Sequence, residues 1–131
     1  MAFLTFFIGS YTQFLSPEIV GSGDGISTVQ LSEETGELSV LYTKKTISPS
    51  YLSISDDNNY LYCNTDVIEE EKPVVQAYRI NDDFSLEFLN EQPIKGGCPC
   101  HIEVFDNRVL VACYISGNVL EYPLDKSGKL M

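Results

Sequence analysis

Positive charge is scarce in this chain. Eight lysines and arginines face 19 aspartates and glutamates, for a formal net charge of −11. The only arginines are Arg79 and Arg108. Nucleic acid and anionic membranes both select basic surfaces, so neither is a main partner. An anionic substrate would need its few cations, or backbone N–H groups, focused at one place. No apolar run approaches the roughly 20 residues that span a bilayer. The apolar segment 2–8 has neither a basic flank nor a small-residue cleavage site, so it reads as a buried strand. Helical periodicity is missing throughout. Four cysteines (Cys63, Cys98, Cys100, Cys113) without a secretory signal are expected to be reduced thiols in a cytoplasmic protein.

What is present points to a folded, all-β chain. Of its 131 residues, 44% are hydrophobic and 11% aromatic, enough for one domain with a modest core. Ala2–Ile8 is the first strand, and a polar, glycine-containing loop is expected from Tyr11 to Gly23. Gly25–Ser32 alternates, with Ile26, Val29 and Leu31 for burial. It turns at Glu33-Glu34-Thr35-Gly36 into Leu38–Ile47. Short strands follow at Tyr51–Ser55 and Tyr60–Asn64, then an acidic loop from Asp66 to Pro73. Val74–Ile80 and Leu86–Pro93 complete that group. His101–Phe105, Val109–Tyr114 and Val119–Leu124 come last.

The chain also repeats itself. Tyr51–Asp56 returns about fifty residues later as His101–Asp106, and Tyr60–Asn64 returns as Val109–Cys113. Val29-Gln30-Leu31 corresponds to Tyr78-Arg79-Ile80 and again to Tyr122-Pro123-Leu124. Four short strands per repeat is the pattern of a β-propeller blade. Residues 1–131 thus read as the N-terminal part of one propeller domain, about two and a half blades. Blade one spans 2–47 and begins at its second strand, blade two spans 51–93, and an incomplete blade three spans 101–131. A propeller closes with about four to eight blades, so a longer protein is expected.

The stretch Gly96-Gly97-Cys98-Pro99-Cys100-His101 holds the sole histidine and two of the cysteines. A glycine and proline turn here delivers a histidine to the start of an innermost strand. Histidine exchanges protons near neutral pH and can assist attack by water. The competing reading is a structural histidine bonded to a neighbouring blade. Haem attachment needs two residues between the cysteines, and only Pro99 lies there. Zinc would need further ligands, and Cys63 and Cys113 fall on second strands where small apolar side chains pack. No metal or cofactor is therefore expected. Arg108 belongs to a turn on the opposite face, and Arg79 to an outer surface.

Several stretches in order resemble the lactonase-type seven-bladed propellers, which include bacterial 6-phosphogluconolactonases and fungal carboxymuconate-lactonizing enzymes. They are Ile8-Gly9-Ser10-Tyr11-Thr12, Gly25-Ile26, Thr35-Gly36-Glu37-Leu38, Ser48-Pro49-Ser50-Tyr51-Leu52, Gly97–His101 and Val111–Val119, ending at Pro123-Leu124. Departures are local. Cys113 stands where the family has Asn, Ser116 where it has a second glycine, and Asn64-Thr65 where it has Asn-Glu. The resemblance implies hydrolysis of a small-molecule sugar lactone, 6-phosphogluconolactone first. It implies that the His101 position lines the central pocket, where the histidine is the expected catalytic base. The blade order brings Tyr11, Asn64 and Tyr114 to the same rim as candidates for substrate binding. The family's arginines and its acid have no counterparts among these residues, so the 131-residue chain alone is expected to be inactive. A lactonizing cycloisomerase and a non-catalytic binding propeller are the alternatives. Oligomeric state is not legible.

Overall fold

A computed structural model describes residues 2–131. Among the described residues, twelve strands form three antiparallel sheets and one small hairpin. The first sheet has the order β1 (Phe3–Gly9), β4 (Gly25–Ser32), β5 (Leu38–Lys45). The second runs β6 (Leu52–Ile54), β7 (Tyr60–Asn64), β8 (Val74–Ile80), β9 (Leu86–Pro93). The third runs β10 (Pro99–Phe105), β11 (Arg108–Cys113), β12 (Val119–Pro123). Each sheet pairs strands in chain order, as a propeller blade does.

Three expectations need correction. Strand β1, read as buried, is the edge of its sheet and has no fully buried residue, with Phe3, Leu4 and Ile8 about half exposed. The segment 11–23 is not simply a loop. It holds the hairpin β2 (Phe14–Ser16) and β3 (Ile19–Val20), closed by Gly21 N–H to the Gln13 carbonyl and Gly23 N–H to the Tyr11 carbonyl. Its strands are two or three residues long, and Phe14 and Val20 lie exposed, so no buried alternation announces it. The acidic loop likewise contains a single 3₁₀ turn, Glu69–Glu71.

Strand β7 explains how the sheets stack. Leu61 and Cys63 face one way and join Ile26, Tyr78 and Leu86, with Phe7 packed against them. Tyr62 faces the other way and joins Ile102, Val109, Val111 and Cys113. Alternate side chains of one strand thus fill the cores on both sides of the second sheet. Leu61, Tyr62 and Cys63 are each fully buried. Burying each large apolar side chain contributes about 2 kcal/mol.

The internal repeat has a geometric counterpart. A bulge at Leu41 of β5 lies opposite Thr28 and Val29 of β4, and one at Leu89 of β9 lies opposite Ala77 and Tyr78 of β8. Val29 and Tyr78 are the residues that the sequence repeat aligns. Asp106 and Asn107 both adopt positive φ, 49° and 60°, and close the β10–β11 hairpin as a two-residue turn. Asp and Asn tolerate that left-handed backbone better than other side chains. Among the described residues no helix is long and apolar enough to cross a membrane.

Candidate active site

The site is assembled around Ser48, in the connection between β5 and β6. Its amide donates to the Thr12 hydroxyl and its own hydroxyl accepts from the Thr12 amide, both at 3.1 Å. That reciprocal clasp seats the loop after β1, and Tyr11 with it. The Ser48 carbonyl accepts the Asp66 amide at 2.9 Å. One residue therefore holds Tyr11 and Asp66 in the same place. The Tyr11 phenol donates to Asp66 Oδ2 at 2.7 Å, and Asp66 Oδ1 has no partner among the described residues. Burial, then the hydrogen bond to Asp66 and its charge, push the Tyr11 phenol up to about 12. Tyr11 is thus neutral at any physiological pH.

Tyr11 and Asp66 open into a cavity of about 530 Å³. Cys98, Cys100, Tyr114 and Ile115 line it together with Leu15 and Ile19 of the hairpin and Ile68. Lysine and arginine are missing from this lining. The remaining charges in reach are acidic. The Cys98 thiol is pushed up first by burial and then by the negative charge of Asp66, with smaller contributions from Cys100, Cys113 and Glu70.

Strand β10 carries the cavity-lining Cys100 and, next to it, His101. Its pairing with β11 slips between Pro99 and His101, leaving Cys100 as the extra residue of a bulge. A bulge breaks the strict alternation of side chains. Cys100 and His101 are consequently both exposed, before Ile102 returns to the core. The imidazole meets the Tyr51 ring edge to face, with centroids 4.4 Å apart. That contact restrains the orientation of the exposed ring.

Of the four site residues read from the sequence, Tyr11 and Tyr114 line the cavity and His101 follows the cavity-lining Cys100. Tyr114 is 77% exposed at the rim, anchored by its amide to the Cys98 carbonyl at 3.0 Å. Asn64 lies beneath the rim. It is fully buried, donates to the Ser50 hydroxyl at 3.0 Å and to the Pro99 carbonyl, and accepts the Tyr51 amide. Asn64 thus ties the strand that carries His101 to the segment that carries Tyr51. Asp66 was missed by sequence reasoning, because it looked like the first residue of a solvated acidic loop. Its one signal was its place straight after the buried Asn64-Thr65.

The two departures at blade three are absorbed structurally. Cys113 packs in the core, and the Ser116 hydroxyl accepts the Gly97 amide at 3.1 Å. A Cβ on Gly96 would sit 2.7 Å from both Cys113 Sγ and Ser116 Oγ, so only glycine fits under this turn. Arg79 pairs with Glu87 at 3.8 Å and Arg108 with Glu121 at 2.6 Å, both away from the cavity. Cys63 and Cys113 occupy different core clusters and so cannot meet. Among the described residues no three His, Cys, Asp or Glu side chains converge as a metal ligand set.

Comparison with known proteins places these features in a family. Residues 5–131 match the family described as "Lactonase, 7-bladed beta-propeller". A 6-phosphogluconolactonase of Bacillus subtilis (strain 168) is 34% identical over 130 residues, covering 95% of this chain and 34% of that protein. A solved protein of Bacteroides uniformis, provisionally named a 6-phosphogluconolactonase, superposes with a TM-score of 0.86 at 29% identity. That match covers 98% of this chain and 36% of the other. The periplasmic gluconolactonase of Pseudomonas aeruginosa shares the fold at a TM-score of 0.86 and 20% identity, over 99% of this chain and 37% of its own. The chain spans about a third of the length of the relatives it matches.

Proposed function

The chain belongs to the lactonase family of seven-bladed β-propellers, and from that premise we propose that it serves the hydrolysis of a sugar lactone. The observation that carries this reading is the bulge at Cys100, which leaves His101 exposed next in the chain to a residue of the cavity that Tyr11, Asp66 and Tyr114 line. His101 takes a proton from water as the water oxygen attacks the lactone carbonyl. The ring C–O bond then breaks, and the released alkoxide is protonated to leave a hydroxy acid. Tyr114 and Tyr11 touch the substrate. Asn64 acts through the backbone it holds.

The name of the Bacillus subtilis relative favours 6-phosphogluconolactone as substrate, and with it a place in the pentose phosphate pathway of the cytoplasm. Because the cavity wall offers no cation, the phosphate must be held elsewhere around the pocket. The test is to express the complete open reading frame and assay gluconolactone, 6-phosphogluconolactone and muconolactone. Hydrolysis of a sugar lactone supports the reading. Turnover of muconolactone alone would make the protein a cycloisomerase, and no turnover of any lactone would favour a binding propeller.

A further inference from the structure

The hydrogen bond between Tyr11 and Asp66 decides what this cavity can recognise. Asp66 is only 4% exposed and draws the phenol proton inward onto Oδ2. A phenol has a single proton to donate. Tyr11 therefore has no donor left for a carbonyl or phosphate oxygen, and what it offers a ligand is an oxygen lone pair. The Ser50 hydroxyl, itself held by Asn64, lies close to the same phenol. Asp66 Oδ1, buried and unpartnered, adds uncompensated negative charge behind Tyr11. Apolar Leu15, Ile19 and Ile115 complete the surroundings without a cation. The Tyr11–Asp66 pair, with its one phenol proton already given to Asp66, presents only acceptors and negative charge at its place in the wall, and so attracts a hydroxyl donor. It repels an anion, more strongly than water-exposed charges would because the pair is desolvated.

We propose that the Tyr11–Asp66 pair is a specificity element that accepts a hydroxyl from the uncharged, hydroxylated part of the ligand. Given the lactonase reading, that part is the hydroxyl-bearing carbons of the sugar ring, and any phosphate is turned to the opposite end. Tyr11 touches the ligand, while Asp66 is a positioning residue that fixes the direction of the phenol proton.

The experiment uses the protein of the complete open reading frame, as wild type, Tyr11→Phe and Asp66→Asn. Its probes are two neutral lactams that water does not open: gluconolactam, which carries ring hydroxyls, and valerolactam, which carries none. Inorganic phosphate is the third probe. NMR shifts of Tyr11 and Cys98 locate binding, and titration gives affinity. Gluconolactam is expected to shift both residues in the wild type. Losing a hydrogen bond polarised by a carboxylate is expected to cut its affinity margin over valerolactam about tenfold in either variant. A purely structural Asp66 would weaken both lactams equally and leave that margin intact, which overturns the proposal. Phosphate that binds at Tyr11, and binds more tightly in Asp66→Asn, would also overturn it. Should Asp66→Asn fail to fold, Tyr11→Phe decides, since it removes one oxygen from a half-buried ring. Gluconolactam binding with the expected margin but no lactone hydrolysis would defeat the lactonase reading and leave this assignment standing.

Discussion

Tyr11 and Asp66 stand 55 positions apart in the chain, and neither announces the other. What the sequence showed at this scale was residue type and local order. His101 could be read because it is the sole histidine, placed after Cys98-Pro99-Cys100 at a strand start. Asp66 could not, because its meaning comes from Ser48 and Tyr11, both distant in sequence. Asn64 was legible as a residue of the site region but not as a buried brace, since its three partners belong to other segments. The titrating groups make a prediction of their own. Burial holds Tyr11 and Tyr122 up to about 12, above the ordinary tyrosine value, and raises Cys98 and Cys113 above the ordinary thiol value. A group with a raised folded pKa binds its proton more tightly when folded. Its stabilisation is full below the unfolded pKa and is lost as pH climbs through the folded one. Thermal midpoints should therefore hold steady in the neutral range and fall from about pH 9 upward, with the steepest loss above pH 10. A midpoint that stays flat through that window would contradict the burial of these groups.

At the scale of elements, β4, β7, β8 and β11 were legible because their periodicity, turns and repeat agreed. Val29 and Tyr78, aligned by the repeat, both face a bulge in the next strand, so the repeat carried geometry as well as composition. The β2–β3 hairpin was not legible, since Phe14 and Val20 face outward and its hydrogen bonds are backbone only. The bulge at Cys100 was equally hidden, because nothing local distinguishes it from regular alternation. Asn64 is the strongest test at this scale. Asn64→Ala removes bonds to the Pro99 carbonyl, the Ser50 hydroxyl and the Tyr51 amide inside a fully buried site. Each buried group left unpaired costs about 1–3 kcal/mol, so a loss of about 3 kcal/mol in urea unfolding is expected. A loss below about 1 kcal/mol would show that water replaces the brace.

The whole molecule presents apolar faces at both ends of its row of sheets. Leu38 and Val40 on β5 are 59% and 64% exposed, and Val119 on β12 is 69% exposed. Patches of this kind drive association, while a net charge of −11 opposes it. Salt screens the charge and leaves the apolar faces unchanged. Sedimentation of the 131-residue chain should accordingly show association that grows as salt rises from low to about 0.15 M and beyond. A monomer at every salt concentration would mean that these faces are covered in solution.

The proposed lactone hydrolysis rests on His101, exposed next to the cavity-lining Cys100, so the deciding measurement is lactone hydrolysis by the complete protein and its His101→Asn variant. The variant is expected to fold as the wild type does and to lose about 10²- to 10⁴-fold in rate, the range a positioned general base supplies. A His101→Asn protein that opens the lactone at the wild-type rate would remove the histidine from the mechanism.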